Sequence, residues 1–413
     1  MTDPDWPLGL FEGYGIELEY MIVTREGLDV APLCDRLIHG MVGSYEAEIE
    51  QGEIAWSNEL VLHVVELKTN GPAASFDGLE HHFQENVRRV GLELEALGAR
   101  LMPTAMHPWM DPDAEMRLWP HEYNAVYEAF HRIFDCRGHG WANLQSAHLN
   151  LSFSNAEEFG RLHAAIRLLL PILPALAASS PVMDGRVTGR LDNRLAVYRH
   201  NARRIPEAAG RVIPERADSP DDYQREILGP LYRAIAPHDP DSILREEWLN
   251  ARGAIARFDR GAIEIRVLDV QECPLADLAI ARAISAVLEA IVEERWLPWG
   301  AQRTWPIAPL EAIFLRTVDA AERAEIHESD YLAAFGLGSR RSCSAGALWR
   351  HLLEATVLNS PPSGADWVGA LETILERGSL AQRISTALGA GRSIKAVYSE
   401  LCDCLVDARL FRT

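Results

Sequence analysis

Period-two alternation of apolar and polar residues marks several short stretches of the chain as strands. The pattern predicts them at about 14 to 24, 45 to 50, 60 to 68, 100 to 105, 145 to 153 and 254 to 268. Between them, apolar residues recur at helical spacing over 76 to 98, over 155 to 178 behind a Ser154 or Asn155 cap, and over 275 to 296. The order of strands and helices is too irregular for a βαβ array. It predicts an α+β fold, with a largely antiparallel sheet and helices on one side. Beyond a Pro- and Trp-containing connector at 295 to 309 the pattern is helical, broken at 358 to 366. The expected organisation is a main domain over 1–300 and a helical C-terminal extension over 301–413.

Three strands carry an i, i+2 polar pair on the face opposite their apolar one. In GIELEY, Glu17 and Glu19 oppose Ile16 and Leu18. In SAHLNLSF, His148, Asn150 and Ser152 oppose Leu149, Leu151 and Phe153. In GAIEIRVLD, Glu264 and Arg266 oppose Ile263, Ile265 and Val267. Taken singly, each is explained by the solvated face of a half-exposed sheet. Taken together they are not, because such faces carry Thr, Lys and mixed polar residues rather than this set of acids with one His, one Asn and one Arg.

A fourth stretch, SNELVLHVVELKTNGP at 57 to 72, reads as a strand and adds Glu59 and Glu66. Glu66 shares a face with Leu62 and Val64, where a carboxylate is costly without a partner. Glu59 and Glu66 have opposite parity, so both reach one site only across a bulge or if Glu59 precedes the strand. Carboxylates with one imidazole suit Mg²⁺ or Mn²⁺, and Mg²⁺ is commonly held by a few carboxylates together with nucleotide phosphates. No P-loop and no G-x-G-x-x-G opening a helix is present, so a nucleotide would need a cradle of sheet and metal.

The net charge of −20 argues against a nucleic-acid partner, which would require a basic surplus. No signal-peptide pattern opens the chain, and the longest apolar runs, such as 168 to 177, are too short to span a bilayer. No membrane association and a cytoplasmic location are expected. Cysteines 34, 136, 273, 343, 402 and 404 lack paired zinc spacing and read as free thiols. Cys136 beside His139 reads as a buried inert thiol rather than a nucleophile. Local charge inverts at 183 to 211, where seven arginines gather. Arginine grips carboxylates and phosphates with two parallel hydrogen bonds, which makes Asn193, Arg194, Tyr198 and Arg199 candidate substrate contacts. A surface that balances neighbouring acids explains the run equally well.

With GIELEY, VELKTNGP after a preceding acid, SAHLNLSF and AIEIRVLDVQ in this order, the chain resembles the glutamate–cysteine ligase family, more closely its second bacterial branch of carboxylate–amine ligases. The resemblance covers about 14 to 290. It implies a glutamine synthetase-like fold, a curved antiparallel sheet forming a funnel with ATP at one end, the amino acid at the other and divalent metals between. It implies metal ligation by Glu17, Glu19, Glu66 and Glu264, with Glu59 and His148, and a contact between Arg266 and the transferred phosphate. Asn150 joins the substrate-binding candidates. The implied reaction phosphorylates the γ-carboxylate of glutamate with ATP, and an amine such as cysteine then displaces phosphate. SAHLNLSF carries one histidine where part of the branch has H-V-H-V. Alternatives are a phosphotransferase of the guanidino-kinase type and an inactive ATP-binding regulatory homologue. The expected partners are small molecules, and either a monomer or a homo-oligomer is compatible.

Overall fold

The structure, a computed structural model, describes residues 6–359 and 366–412. Most of the break expected at 358 to 366 therefore lies outside the described residues. Eight strands form one sheet: β1 (Tyr14–Thr24), β2 (Glu48–Gln51), β3 (Ile54–Asn58), β4 (Val64–Thr69), β5 (Ala99–Met102), β6 (Ser146–Ser152), β7 (Ala254–Arg257) and β8 (Ala262–Asp269). Their order is β2-β3-β4-β1-β6-β8-β7, with every pairing antiparallel. The first strand is long enough to pair twice along one edge, with β6 over Tyr14 to Leu18 and with β5 over Met21 to Thr24.

Alternation along the strands produces two different faces. Ile16, Leu18, Val65, Leu67, Leu149, Leu151, Ile263 and Ile265 point to one side and bury against helices α1 (Leu79–Ala96), α3 (Ala156–Leu169) and α5 (Pro274–Val292). α2 (Asn124–Phe134) and α4 (Asn193–Asn201) supply side chains to a cavity on the polar face. That polar face is itself apolar at one end. There Met21, Val23, Val64 and Met102 pack with Leu380 and Ile384 of α8 (Leu380–Gly389) and Leu401 of α9 (Ile394–Asp407). The apolar flank of Glu66 has this origin, since Val64 lies under C-terminal helices rather than under solvent.

Two stretches read as single strands are hairpins. Residues 57 to 72 divide into the end of β3 and all of β4 around a loop at 59 to 63. No glycine or proline announces this loop, because partners distant in sequence shape it. The Leu62 amide donates to the Arg117 carbonyl at 2.9 Å, and the Trp119 amide to that of Leu60 at 3.0 Å. Residues 254 to 268 fold back as β7 and β8, with Gly261 at φ +63° in the turn. The helix expected to 178 stops at Leu169, and a 3₁₀ turn and a short helix follow at Pro171 and Pro174, which lack the N–H that continuation would use.

Past residue 300, α6 (Ile307–Ala320) and α7 (Asp366–Arg377) contribute Leu310 and Leu371 to the cluster that contains Ile284 and Leu288 of α5. All six cysteines are buried free thiols, and burial, reinforced by Asp135, pushes Cys136 up to about 12. Among the described residues no helix is long and apolar enough to cross a membrane.

Candidate active site

Strand register turns the sequence pairs into a lattice of side chains. Glu17 stands opposite Lys68 on β4 and His148 on β6, Glu19 stands opposite Glu66, and Asn150 stands opposite Gly15 and Glu264. Each carries its chemistry on the same face because the alternation stays in phase across four antiparallel strands.

His148 joins the strands. Its Nδ1 lies 2.7 Å from Glu17 Oε2 and 3.8 Å from Glu264 Oε1, while Nε2 lies 3.0 Å from Ser146 Oγ. Burial disfavours a charged ring, but the hydrogen bond and charge of Glu17, backed by Glu264 and Glu19, outweigh it and push His148 up to about 9. Asn150 Nδ2 donates to the other Glu17 oxygen at 3.0 Å. Glu19 accepts from the Ser146 amide at 2.7 Å and its hydroxyl at 2.9 Å. Glu66 accepts from Ser57 Oγ at 2.6 Å and pairs with Lys68 at 3.2 Å, and Lys68 also reaches Glu48 at 2.7 Å.

Glu59 occupies the loop before β4 rather than the strand, and this placement removes the parity conflict. Two triads of donor atoms result, Glu17–Glu66–His148 and Glu19–Glu59–Glu66, each with its atoms within 4.8 Å of one another. Burial, and then the charges of Glu19 and Glu66, push Glu59 well above the usual carboxylate range. Glu66 is raised to about 6, chiefly by burial. Carboxylates crowded and desolvated in this way lack positive charge, and the donor set of hard oxygens with one imidazole fits Mg²⁺ or Mn²⁺.

Glu264 belongs to neither triad. Arg266 Nε donates to it at 2.5 Å and Arg257 Nη1 at 3.2 Å. Burial would raise its pKa, but Arg266 foremost, with His148 and Arg257, holds it below the usual range. Arg194 is buried on Asp269 at 2.5 Å and reaches the Arg266 carbonyl at 3.2 Å.

The carboxylate row separates two cavities. One, of about 430 Å³, is lined by Gly13, Gly15, Glu17, Lys68, Asn150 and Arg260. The other, of about 250 Å³, begins at Glu19, Glu59 and His148 and includes Arg194, Tyr198 and Arg266.

Two of the substrate contacts expected from the sequence, Asn193 and Arg199, lie elsewhere once the chain folds. Asn193 is buried, with Nδ2 on the Ser180 carbonyl at 2.7 Å and Oδ1 accepting from Thr188 Oγ1 at 3.0 Å. Arg199 faces a groove with Leu315 and Asp319 of α6, because one helical step from Tyr198 turns a side chain by roughly 100°. Sequence reasoning missed Lys68, Arg257, Arg260 and the rings around the second cavity. Lys68 stood two residues past Glu66, a same-face position that could have found it. The rings come from separate segments and carried no joint signal.

Among solved structures, the chain is similar to glutamate–cysteine ligase from Francisella tularensis, determined in complex with AMP, with a TM-score of 0.57 at 13% identity, covering 98% of this chain and 90% of that one. At that identity the likeness is one of fold, that of a glutamine synthetase-like sheet. The chain belongs to glutamate–cysteine ligase family 2, whose family model matches residues 14–400. A protein of unassigned function from Archaeoglobus fulgidus is 36% identical over 68% of this chain and 75% of its own. A putative glutamate–cysteine ligase from Rubrobacter xylanophilus is 27% identical over 68% and 69%.

Proposed function

We propose that the protein is an ATP- and Mg²⁺-dependent ligase that activates the γ-carboxylate of L-glutamate as an acyl phosphate for attack by an amine. The observation that carries this reading is the carboxylate row with His148 standing between two cavities of different chemistry. The larger cavity suits the nucleotide. Lys68 and Arg260 supply positive charge there for phosphates. The smaller cavity then receives the acid and the amine.

Glu17, Glu19, Glu59, Glu66 and His148 would hold the metal ions, which when bound supply positive charge to bridge nucleotide phosphates and neutralise the transferring group. Glu264 positions Arg266 in the lining of the acid cavity, where the guanidinium would offset charge developing on the phosphoryl oxygens. In the first step a γ-carboxylate oxygen forms a bond to the γ-phosphorus and ADP leaves with the electron pair of the broken P–O bond. In the second, the amine nitrogen forms the C–N bond, the acyl C–O bond breaks, and phosphate departs with that pair. Taking the amine as ammonium, one of its protons remains on the amide, one goes to the phosphate and one to solvent.

The test is ADP release from ATP, Mg²⁺ and L-glutamate with and without amines, with the amide product followed by mass spectrometry. Amine-dependent ADP and amide support the ligase. A phosphorylated product that accumulates without amide would identify a phosphotransferase, and tight nucleotide binding with no ADP from any amine would point to a binding protein. Glu264→Gln should lower turnover by at least about a hundredfold, the scale of losing one preorganised electrostatic contact.

A further inference from the structure

The smaller cavity changes character along its length. Its floor is the charged row, whereas its outer wall is aromatic. Phe130 on α2 stands 5.3 Å from Trp141 and 5.7 Å from Trp248 between ring centroids. Leu60, Leu144 and Leu249 complete the apolar lining. The three rings come from α2, from the short helix His139–Ala142 and from the turn Glu247–Leu249, and all are half-buried rather than sealed. Packed together, they present an apolar wall to the cavity, against which an apolar group can lie. Trp141 has already given its indole N–H to the Asn201 carbonyl at 3.1 Å.

The charges lining this cavity narrow the occupant further. Among its described lining residues the cations, apart from His148, are Arg194 and Arg266. Arg194 is committed to Asp269 at 2.5 Å and Arg266 to Glu264 at 2.5 Å. His148 is committed to Glu17 at 2.7 Å. Whatever charge the arginines retain serves the acid substrate that the reaction must hold. Among the described residues no further cation lines the aromatic end to receive a second carboxylate. An amine carrying only an apolar group needs no such partner, and a ring attached to it finds the aromatic wall.

We infer that the amine acceptor is a primary amine bearing an aromatic or bulky apolar group and no carboxylate, seated with its apolar part against Phe130, Trp141 and Trp248. The inference rests on the ligase reading above for the word acceptor. It differs from that reading in excluding an amino acid such as cysteine from the role.

Calorimetry on the full chain, with Mg²⁺ and a non-hydrolysable ATP analogue present, would compare 2-phenylethylamine with ethylamine and L-cysteine. The aromatic amine should bind at least about tenfold more tightly, as expected for burial of one ring. Trp248→Ala should weaken it by a similar factor and Trp248→Phe should restore most of the loss, with thermal unfolding of both variants confirming that they are folded. Equal or tighter binding of cysteine or ethylamine, or indifference to Trp248→Ala in a folded variant, overturns the inference. ADP release with L-glutamate and the same amines separates the two readings. Release driven best by cysteine keeps the ligase and removes the aromatic acceptor. Tight binding of the aromatic amine with no ADP from any amine supports the amine class and removes the glutamate-dependent ligation.

Discussion

Glu17 shows how much one side chain can decide at this site. One oxygen accepts from Asn150 and the other lies on His148, so it ties the larger of the two cavities to the donor triads. In metal-free protein, His148 should titrate near 9, as the hydrogen bond and charge of Glu17 overcome the cost of burial. Because that value lies above the ordinary imidazole value of about 6.5, the pair's contribution to stability is complete below about pH 6.5 and disappears as pH rises through 9. Histidine ring NMR across pH 5 to 10 would follow it, and Glu17→Gln should return the midpoint toward the ordinary value. Glu66, raised to about 6, and Glu59, raised further, give a second expectation. Both must lose protons to ligate, so Mg²⁺ or Mn²⁺ binding should weaken as pH falls through 6 and should release protons. Calorimetry in two buffers of different ionisation enthalpy would count them; an enthalpy independent of buffer would contradict the assignment of these carboxylates as ligands.

At the scale of the element, the strands that carry the site are legible because their alternation is strict and their partners are strands of the same kind. β1, β6 and β8 present in space the faces that their sequences present in order. Legibility failed where a tertiary contact replaced a local signal. The loop at 59 to 63 is held by Arg117 and Trp119, and nothing within 57 to 72 encodes them. Arg199 was misplaced because helix position, not composition, decides which of the clustered arginines faces a cavity. Gly15 tests the element directly. A Cβ there would lie 2.9 Å from Asn150 Cβ on the neighbouring strand, too close without displacement of one of them. Gly15→Ala should therefore cost about 1–3 kcal/mol of stability, in the range of overpacked sites, and should weaken ATP binding by moving Asn150. Urea unfolding and nucleotide titration read the two effects separately, and an unchanged affinity would show that β1 can shift without disturbing the cavity.

At the scale of the whole molecule, the last hundred residues carried no motif, yet they close the polar face of the sheet over Met21, Val23 and Val64. One buried ion pair fastens them. Arg383 of α8 pairs with Glu272, just past β8, and also donates to the Phe411 carbonyl at 2.8 Å, while the Phe411 amide returns to Glu272 at 3.2 Å. Both charged side chains are fully buried, so removing one strands the other in a medium that cannot solvate it. The same segment leads back to the site, because Asp269 at the end of β8 holds Arg194 at 2.5 Å. Arg383→Met should cost about 3–5 kcal/mol, the range for an uncompensated buried charge, whereas Arg383→Met with Glu272→Leu should recover much of it. If the C-terminal helices only decorate the sheet, urea unfolding of the single variant will show an early transition for them and an unaltered later one for the strands. If they are part of one cooperative unit, as a core running from Ile284 to Leu371 favours, the whole transition will move to lower urea and the double variant will move it back.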